Sequence, residues 1–576
     1  MQYFGAVAGA IHRKSRHLTG ALVLLAALPT WAESLEIFDI PLDPSCEWTE
    51  YPHLDLSRES NYNRVRSALD ELEGHRIRHI RIVSGDIFDE NDPDENNALF
   101  RGLNRVHINT TVTTIRAQLL MTEGEDLRSR YVNESERILR TRSYLSDAYI
   151  VPEVVCDGGV DLLVLTRDAW VTEPEVYFGY EGGETRSGFG LKDGNFLGSG
   201  DNLSVGYVQD ELRSSVTYDY RSPHLFNTQL RARVSYADKS DGTDKVFSLE
   251  QPFYSLDSPW AAGYISENIS EVNVVRNRGE DINEYRQRMI KNEVYYGRAL
   301  TVGSDDIRRL LIGLTSEEDR FSETDASVTE VPTDRRANYP WLAYEYIEND
   351  YGTYRNVYQI QRTEDIAQGL NIYLRAGYGG ASLGNDRDVV RFKGRVSNYL
   401  DIGPGQLLRV EGQLDGRYYP NFEGSDSTVA QTRIDHHYFI DRNNRWFTSF
   451  RYAQGYDLAQ HEELTLGGIS GLRGYPTDFQ RGAQRYLLTV ERRYFSDIHL
   501  LNIVRMGGVA FIDAGRAWGG EGNRDNSHLS NLGLGLRFTS SKARIGNLLH
   551  IDVAVPTGTR ENTRSVQWLI KGSTVF

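Results

Sequence analysis

The chain has 576 residues, with 64 Lys+Arg against 81 Asp+Glu and a net charge of -17. That balance argues against a nucleic-acid-binding protein, which needs a basic face. No run of about 18 apolar residues occurs, so helical membrane spans are excluded. A β-barrel is not, because its alternating strands average to a polar composition such as this one, with mean hydropathy -0.50, 53 Gly and 34 Tyr.

The first stretch reads as an address. Arg13, Lys14 and Arg16 sit in a basic region, Leu18–Leu28 is apolar, Pro29 breaks it, and Thr30-Trp31-Ala32 is a small-x-small cleavage pattern. A secretory signal peptide over residues 1–32 is expected, and its removal leaves 61 basic against 81 acidic residues, or -20. The rest then lies outside the cytoplasm. The two cysteines, Cys46 and Cys156, are compatible with one disulfide in an oxidising compartment, the alternative being two buried thiols. Closing that loop would contribute ~4–5 kcal/mol on the chain-entropy model. Without His at metal spacing they make no metal site.

Residues 33–75 form an N-terminal segment, with a helix expected over Asn63–Leu72. Residues 76–170 read as one small α+β domain in the order strand, helix, helix, strand, strand. Ile77–Val83 alternates as a half-buried strand does. The acidic loop Asp86–Asn97 follows, then helical spacing over Thr111–Leu120 and Asn133–Leu145, the latter with Glu134 and Glu136 early, where a helix favours negative charge. Ala148–Val155 and Val160–Thr166 close the domain as two strands around Asp157-Gly158-Gly159.

From residue 171 to 576 the period is two. Leu230, Ala232, Val234 and Tyr236 interleave with Arg231, Arg233 and Ser235. Ile372 to Tyr378, Leu408 to Gly416, Leu532 to Phe538 and Leu549 to Val555 repeat the pattern in runs of about ten residues, the length a tilted strand needs to cross a bilayer. Aromatic residues gather at strand ends (Tyr418-Tyr419, Trp446-Phe447, Tyr494-Phe495, Trp568), as interfacial girdles require. In the last strand Val566, Trp568, Ile570 and Phe576 share one parity, and Trp568 and Phe576 form the terminal aromatic signal of an outer-membrane barrel. A transmembrane β-barrel is the expectation, because only a closed sheet satisfies its backbone in lipid. The charged inserts Ser270–Arg288 and Ser316–Asn338 are expected as extracellular loops.

A glycine-rich segment, Leu466 to Tyr475, carries Arg473 and Tyr475 at its tip. Parity puts Phe511, Asp513 and Gly515 on one face of the strand Val509–Trp518, with Ala510, Ile512 and Ala514 toward lipid. It likewise turns Glu491 inward, opposite Leu488 and Val490. Arg473 on an infolded loop can therefore meet two lumen carboxylates, in a contact stronger than a surface pair. Other candidates are weaker. The run Asp86 to Glu95 lacks the glycine and distal Glu of a calcium loop, and Asp435-His436-His437 reads as strand-end surface.

Leu472-Arg473-Gly474-Tyr475 resembles the [V/L/I]-R-G-[Y/F] loop motif of the BamA/TamA-type barrels, the bacterial surface antigen family. Phe511-x-Asp513-x-Gly515 is similar to that family's F-x-D-x-G strand motif, and Glu491 to its lumen glutamate. Arg221-Ser222-Pro223-His224-Leu225 and Gln251-Pro252-Phe253-Tyr254-Ser255-Leu256 resemble its turn motifs, and the α+β domain resembles its periplasmic POTRA module. The resemblance implies a mainly β protein: a 16-stranded antiparallel barrel, at roughly 25 residues per strand, preceded by one POTRA-like domain in the periplasm. It implies a loop lock of Arg473 on Glu491 and Asp513, and a weakly paired first–last seam. It implies partners in outer-membrane lipid, in unfolded client proteins (barrel proteins or a secreted passenger) and in a periplasmic or inner-membrane protein at the POTRA-like domain. No cofactor, metal or catalytic residue is implied, and an enzyme is not expected. A single POTRA-like unit departs from insertases that carry several, and no G-x-S-x-G lipase motif precedes the barrel. The expected function is assembly of membrane proteins into, or translocation across, the outer membrane. The alternatives are a passive pore or lipid/solute conduit, a dedicated exporter of one secreted partner, and a surface-antigen role carried by the loops.

Overall fold

The computed structural model describes residues 45–54, 56, 59–329, 331–420, 427–520, 527–543, 548–558 and 562–573, so the leader and Phe576 lie outside the described residues. In the α+β domain, β1 (Arg76–Gly85) runs parallel to β3 (Gly159–Asp168), and β3 pairs antiparallel with β2 (Leu145–Cys156). Four helices accompany them: α1 (Glu59–Glu71), α2 (Ala98–Val106), α3 (Val112–Arg116) and α4 (Ser129–Arg140). The core joins Val65 and Leu69 of α1, Ile115, Val132 and Leu139 of the other helices, and Ile77, Ile80, Ile150 and Leu162 of the sheet. Strict alternation does not hold in β1, because a register shift between Ile77 and His79 turns both Ile77 and Ile80 inward. The tight β2–β3 turn needs positive φ, which Gly158 supplies at 70°.

Two local expectations are corrected here. The helix expected over Asn133–Leu145 runs over Ser129–Arg140, and Leu145 starts β2, because its side chain is buried in the sheet core. The acidic loop is followed by α2, whose Asn97 caps it by accepting a hydrogen bond from the Phe100 N–H.

Among the described residues twenty antiparallel strands, from Thr172–Glu181 to Gln567–Ser573, close into a barrel. The expected count of 16 is therefore wrong. Four connections are only two residues long (182–183, 240–241, 278–279, 404–405), so less chain is spent on loops than a 16-strand count assumes. The charged insert Ser270–Arg288 is not a loop either. It continues the hairpin of Trp260–Asn277 with Glu280–Ala299, pairing Ser270 with Arg288 and Val272 with Arg286. In Ser316–Asn338 the two ends are likewise strand, in Asp306–Ser322 and Arg335–Glu348. Charge there tells where the strand has left the apolar belt, not that the ladder has ended.

The expected parity holds along the wall. Val234, Leu374, Leu534 and Trp568 face outward and are exposed, while their neighbours line the lumen. In each aromatic pair one ring takes the outer face (Tyr418, Trp446, Tyr494) and its neighbour (Tyr419, Phe447, Phe495) is buried.

The α+β domain docks on the turns at one end of the barrel. Arg130 pairs with Asp257 at 2.9 Å, Glu134 accepts the Leu256 N–H at 2.6 Å, and Lys542 pairs with Glu95. At the same end, between the strands Arg335–Glu348 and Asn371–Gly379, a hairpin of Tyr351–Arg355 and Thr363–Ala367 turns back into the lumen. Its tip is buried, with Ile360 joining Phe495, Val509 and Phe511 of the inner wall. Two devices hold the hairpin. Arg140 of α4 grips Asp365 through two hydrogen bonds of 2.8 and 2.9 Å, and Glu364 accepts N–H bonds from Val357, Tyr358 and Gln359.

Candidate functional site: a locked loop in the lumen

The loop 457–483 leaves the far end of the barrel and folds inward as a short hairpin, Leu464–Leu466 with Gln480–Gly482. Its apolar residues Leu466, Leu472, Tyr475 and Phe479 pack on Leu487, Ala517 and Leu529 of the wall, and this burial seats the tip. At the tip only glycine fits. A Cβ on Gly467 (φ 134°) would stand 2.1 Å from the Pro476 carbonyl oxygen, and one on Gly474 would stand 2.6 Å from the Asn531 side chain.

Arg473 is the centre of the site. Its Nε and Nη2 donate to Asp513 at 2.8 and 2.7 Å, Nη1 lies 2.9 Å from Glu491, and the guanidinium stacks 3.4 Å above the Phe511 ring centroid. Asp513 is fully buried and also accepts from Thr489 and Asn531. Burial opposes the charge of Arg473, but Asp513 and Glu491 outweigh it and push its pKa above the usual arginine range. The strand triplet acquires a physical meaning. Phe511 supplies the ring, Asp513 the bidentate acceptor, and Gly515 the room, since a Cβ there would press within 3.0 Å of Leu466 of the loop. Arg473 thus lies against Glu491, Phe511 and Asp513, while Leu472 and Tyr475 belong to the apolar cluster that seats the loop.

The sequence reading missed the rest of the network. Asp552 lies 3.9 Å from Arg473 and pairs with Arg537, Arg493 donates to Glu491 at 2.8 Å, and Asn531 accepts the Gly474 N–H at 3.0 Å. Three arginines therefore face three carboxylates. The signal was available, since Asp552 and Arg537 sit on the inward parity of strands whose apolar phase is plain.

A second clasp holds the loop's ascending limb. Glu462 pairs with Arg335 and Arg417, each at 3.1 Å, and Glu463 pairs with Arg481 at 2.6 Å. Burial opposes ionisation of Glu462, but the two arginines prevail and hold its pKa down to about 2. Elsewhere the candidates resolve otherwise. Asp435 and His437 are not surface but buried on the lumen side, His437 against the Phe447 ring at 4.9 Å. Asp89 and Asp92 cap turns of the acidic loop. Trp568 faces outward, and neither cysteine is a free thiol.

Fold and site define a closed barrel with an apolar exterior, a loop locked inside its lumen and an α+β domain beneath it. No protein-family model and no curated protein sequence matches the chain. Among solved structures it is similar to BamA from Haemophilus ducreyi lacking POTRA domains 1-3, with 14% identity over 86% of this chain and 84% of that one and a TM-score of 0.37. CdiB from Escherichia coli is similar at 15% identity over 87% and 76% of the two chains, with a TM-score of 0.45. CdiB from Acinetobacter baumannii is similar at 11% identity over 86% and 73%, with a TM-score of 0.44.

Proposed function

We propose that this chain works in the outer membrane, assembling membrane proteins into it or moving proteins across it, with the α+β domain as its periplasmic POTRA-like module. The observation that carries the reading is the seam. Among the described residues the first and last strands share one residue pair, Ile570 with Tyr180, whereas the first strand pairs with its other neighbour over ten positions. Two side-chain contacts support that pair, Lys571 to Glu181 at 2.8 Å and Arg564 to the Tyr180 hydroxyl at 2.6 Å. An edge so lightly covered offers its N–H and C=O groups to an incoming strand, which is β-augmentation. The Arg473 lock keeps the adjoining wall rigid while the seam opens. A single POTRA-like unit favours a specialised client over general insertion.

The test joins two measurements. Depletion followed by quantitative comparison of outer-membrane and secreted proteomes identifies the client fraction. Tyr180→Cys with Ile570→Cys, oxidised across the seam, should block that activity and reduction should restore it. An unchanged proteome would move the reading to a lipid or solute conduit.

A further inference from the structure

We infer that α2 and the residues after it, through Val112, form a lipid-contacting element seated on the periplasmic leaflet directly beneath the barrel seam. The inference rests on the barrel spanning a bilayer, not on the nature of the client.

One side of α2 is accounted for. Phe100 and Asn104 are buried, and Phe100 packs on Ile87 and Phe88 with Leu103 and Ile503 around them. The other side is not. Leu99 and Val106, seven residues apart and so on one helix face, are 64% and 71% exposed, and Ile108 and Val112 continue the patch at 53% and 47%. Arg101 and Arg105 are exposed on another side of the helix. An exposed apolar face on a short helix with arginines on its other side is the make-up of an interfacial segment, the apolar groups entering the leaflet edge.

Position selects the occupant. The segment and the residues flanking it are tied to two turns of the barrel. Thr111 N–H and Thr114 Oγ1 donate to the Gly198 carbonyl at 3.1 and 3.0 Å, and Asn502 donates to the Asp94 carbonyl at 3.0 Å. Those turns follow the strands Glu184–Phe196 and Gln484–Leu500, and the seam between Gln567–Ser573 and Thr172–Glu181 lies between them in the barrel order. Each turn carries its own outward apolar residue, Leu197 at 54% and Leu501 at 86% exposed. The bond of Thr111 to Gly198 brings Val112 beside the turn that carries Leu197, so a bilayer that covers the belt down to that turn reaches the segment.

The test uses the full-length protein in nanodiscs of phosphatidylethanolamine and phosphatidylglycerol. An environment-sensitive fluorophore is attached at Val106→Cys, at Leu534→Cys on the lipid face of the wall, and at Asp70→Cys on the exposed side of α1. Lipids bearing a nitroxide near the headgroup should quench the label at Val106 to a degree comparable with Leu534 and leave Asp70 unchanged. Quenching at Val106 no greater than at Asp70, with Leu534 quenched, overturns the inference, whether water or a protein partner covers the face. Failure at Leu534 would instead refute the membrane barrel itself. Ile108→Cys serves as a second site should Val106→Cys not fold, as judged by heat-modifiable mobility.

Discussion

Arg473→Ala is the sharpest perturbation of the lumen. The substitution removes two hydrogen bonds to Asp513, the ion pair with Glu491 and the stack on Phe511. It leaves Glu491, Asp513 and Asp552 with only Arg493 and Arg537, so one buried negative charge is uncompensated. Breaking a buried pair in this way costs ~3–5 kcal/mol. At about 1.4 kcal/mol per decade, that lowers the docked-to-free ratio of loop 457–483 by roughly two to three and a half orders of magnitude. Arg409→Ala is the matched control. Glu411 and Asp435 would keep Arg395 at 3.3 Å and Arg433 at 2.7 Å, so little charge is stranded. Limited proteolysis within the loop, read beside heat-modifiable mobility, reports docking. Rapid cleavage is expected for Arg473→Ala and near-parental resistance for Arg409→Ala, with Arg473→Lys between them because it keeps charge but not the planar fork. Equal cleavage of the two alanine variants would refute the lock.

Three further outcomes follow from the other end of the barrel and from the cysteines. Asp365→Asn weakens the Arg140 grip and should release the lumen hairpin, raising single-channel conductance in a planar bilayer; a closed barrel in this variant would mean that the contacts of its tip, such as Arg362 to the Ala543 carbonyl and Arg505 to the Gln361 carbonyl, suffice to hold it. Burial pushes the Glu364 carboxyl from 4.5 up to about 7, against three backbone N–H donors. The folded state therefore binds this proton more tightly than the unfolded chain, so its stabilisation is full below about 4.5 and lost as pH rises through about 7. Deuterium uptake at residues 356–360 should be faster above that range than below it, and Glu364→Gln should flatten the dependence. Denatured, unreduced mature protein should return no reactive thiol, and reduction should expose both cysteines.

What was readable in the sequence was whatever a period of two encodes. Parity alone placed Asp513 and Glu491 in the lumen and Leu534 and Trp568 outside, because a pleated strand leaves a side chain two choices. Strand number was not readable, since charged hairpin ends such as Ser270–Arg288 carry no apolar phase yet still satisfy their backbone in a ladder. The hairpin of residues 351–367 escaped for a related reason. Its tip residues Val357 and Ile360 are single apolar groups in polar sequence, buried only by a wall assembled from distant strands. Helix α2 left a trace, Leu99, Leu103 and Val106 at helical spacing behind an Asn cap, but its outward face mimics a core stripe. Within the site, parity pointed to Glu491 and Asp513, whereas Asn531, which also meets the loop, and Arg493, Arg537 and Asp552, which balance the charge, were not singled out.

Two loops that enter from opposite ends meet at one apolar cluster. Phe511 carries the Arg473 guanidinium on its face and belongs to the same buried cluster as Ile360. Linkage then demands reciprocity: whatever free energy docking of one loop lends to the other must be returned in full. Arg473→Ala and Ile360→Ala should therefore be non-additive in a double-mutant cycle, with a coupling energy on the order of 1 kcal/mol. A signal arriving at the α+β domain can in this way be felt at the far mouth of the barrel without any strand of the wall changing its register.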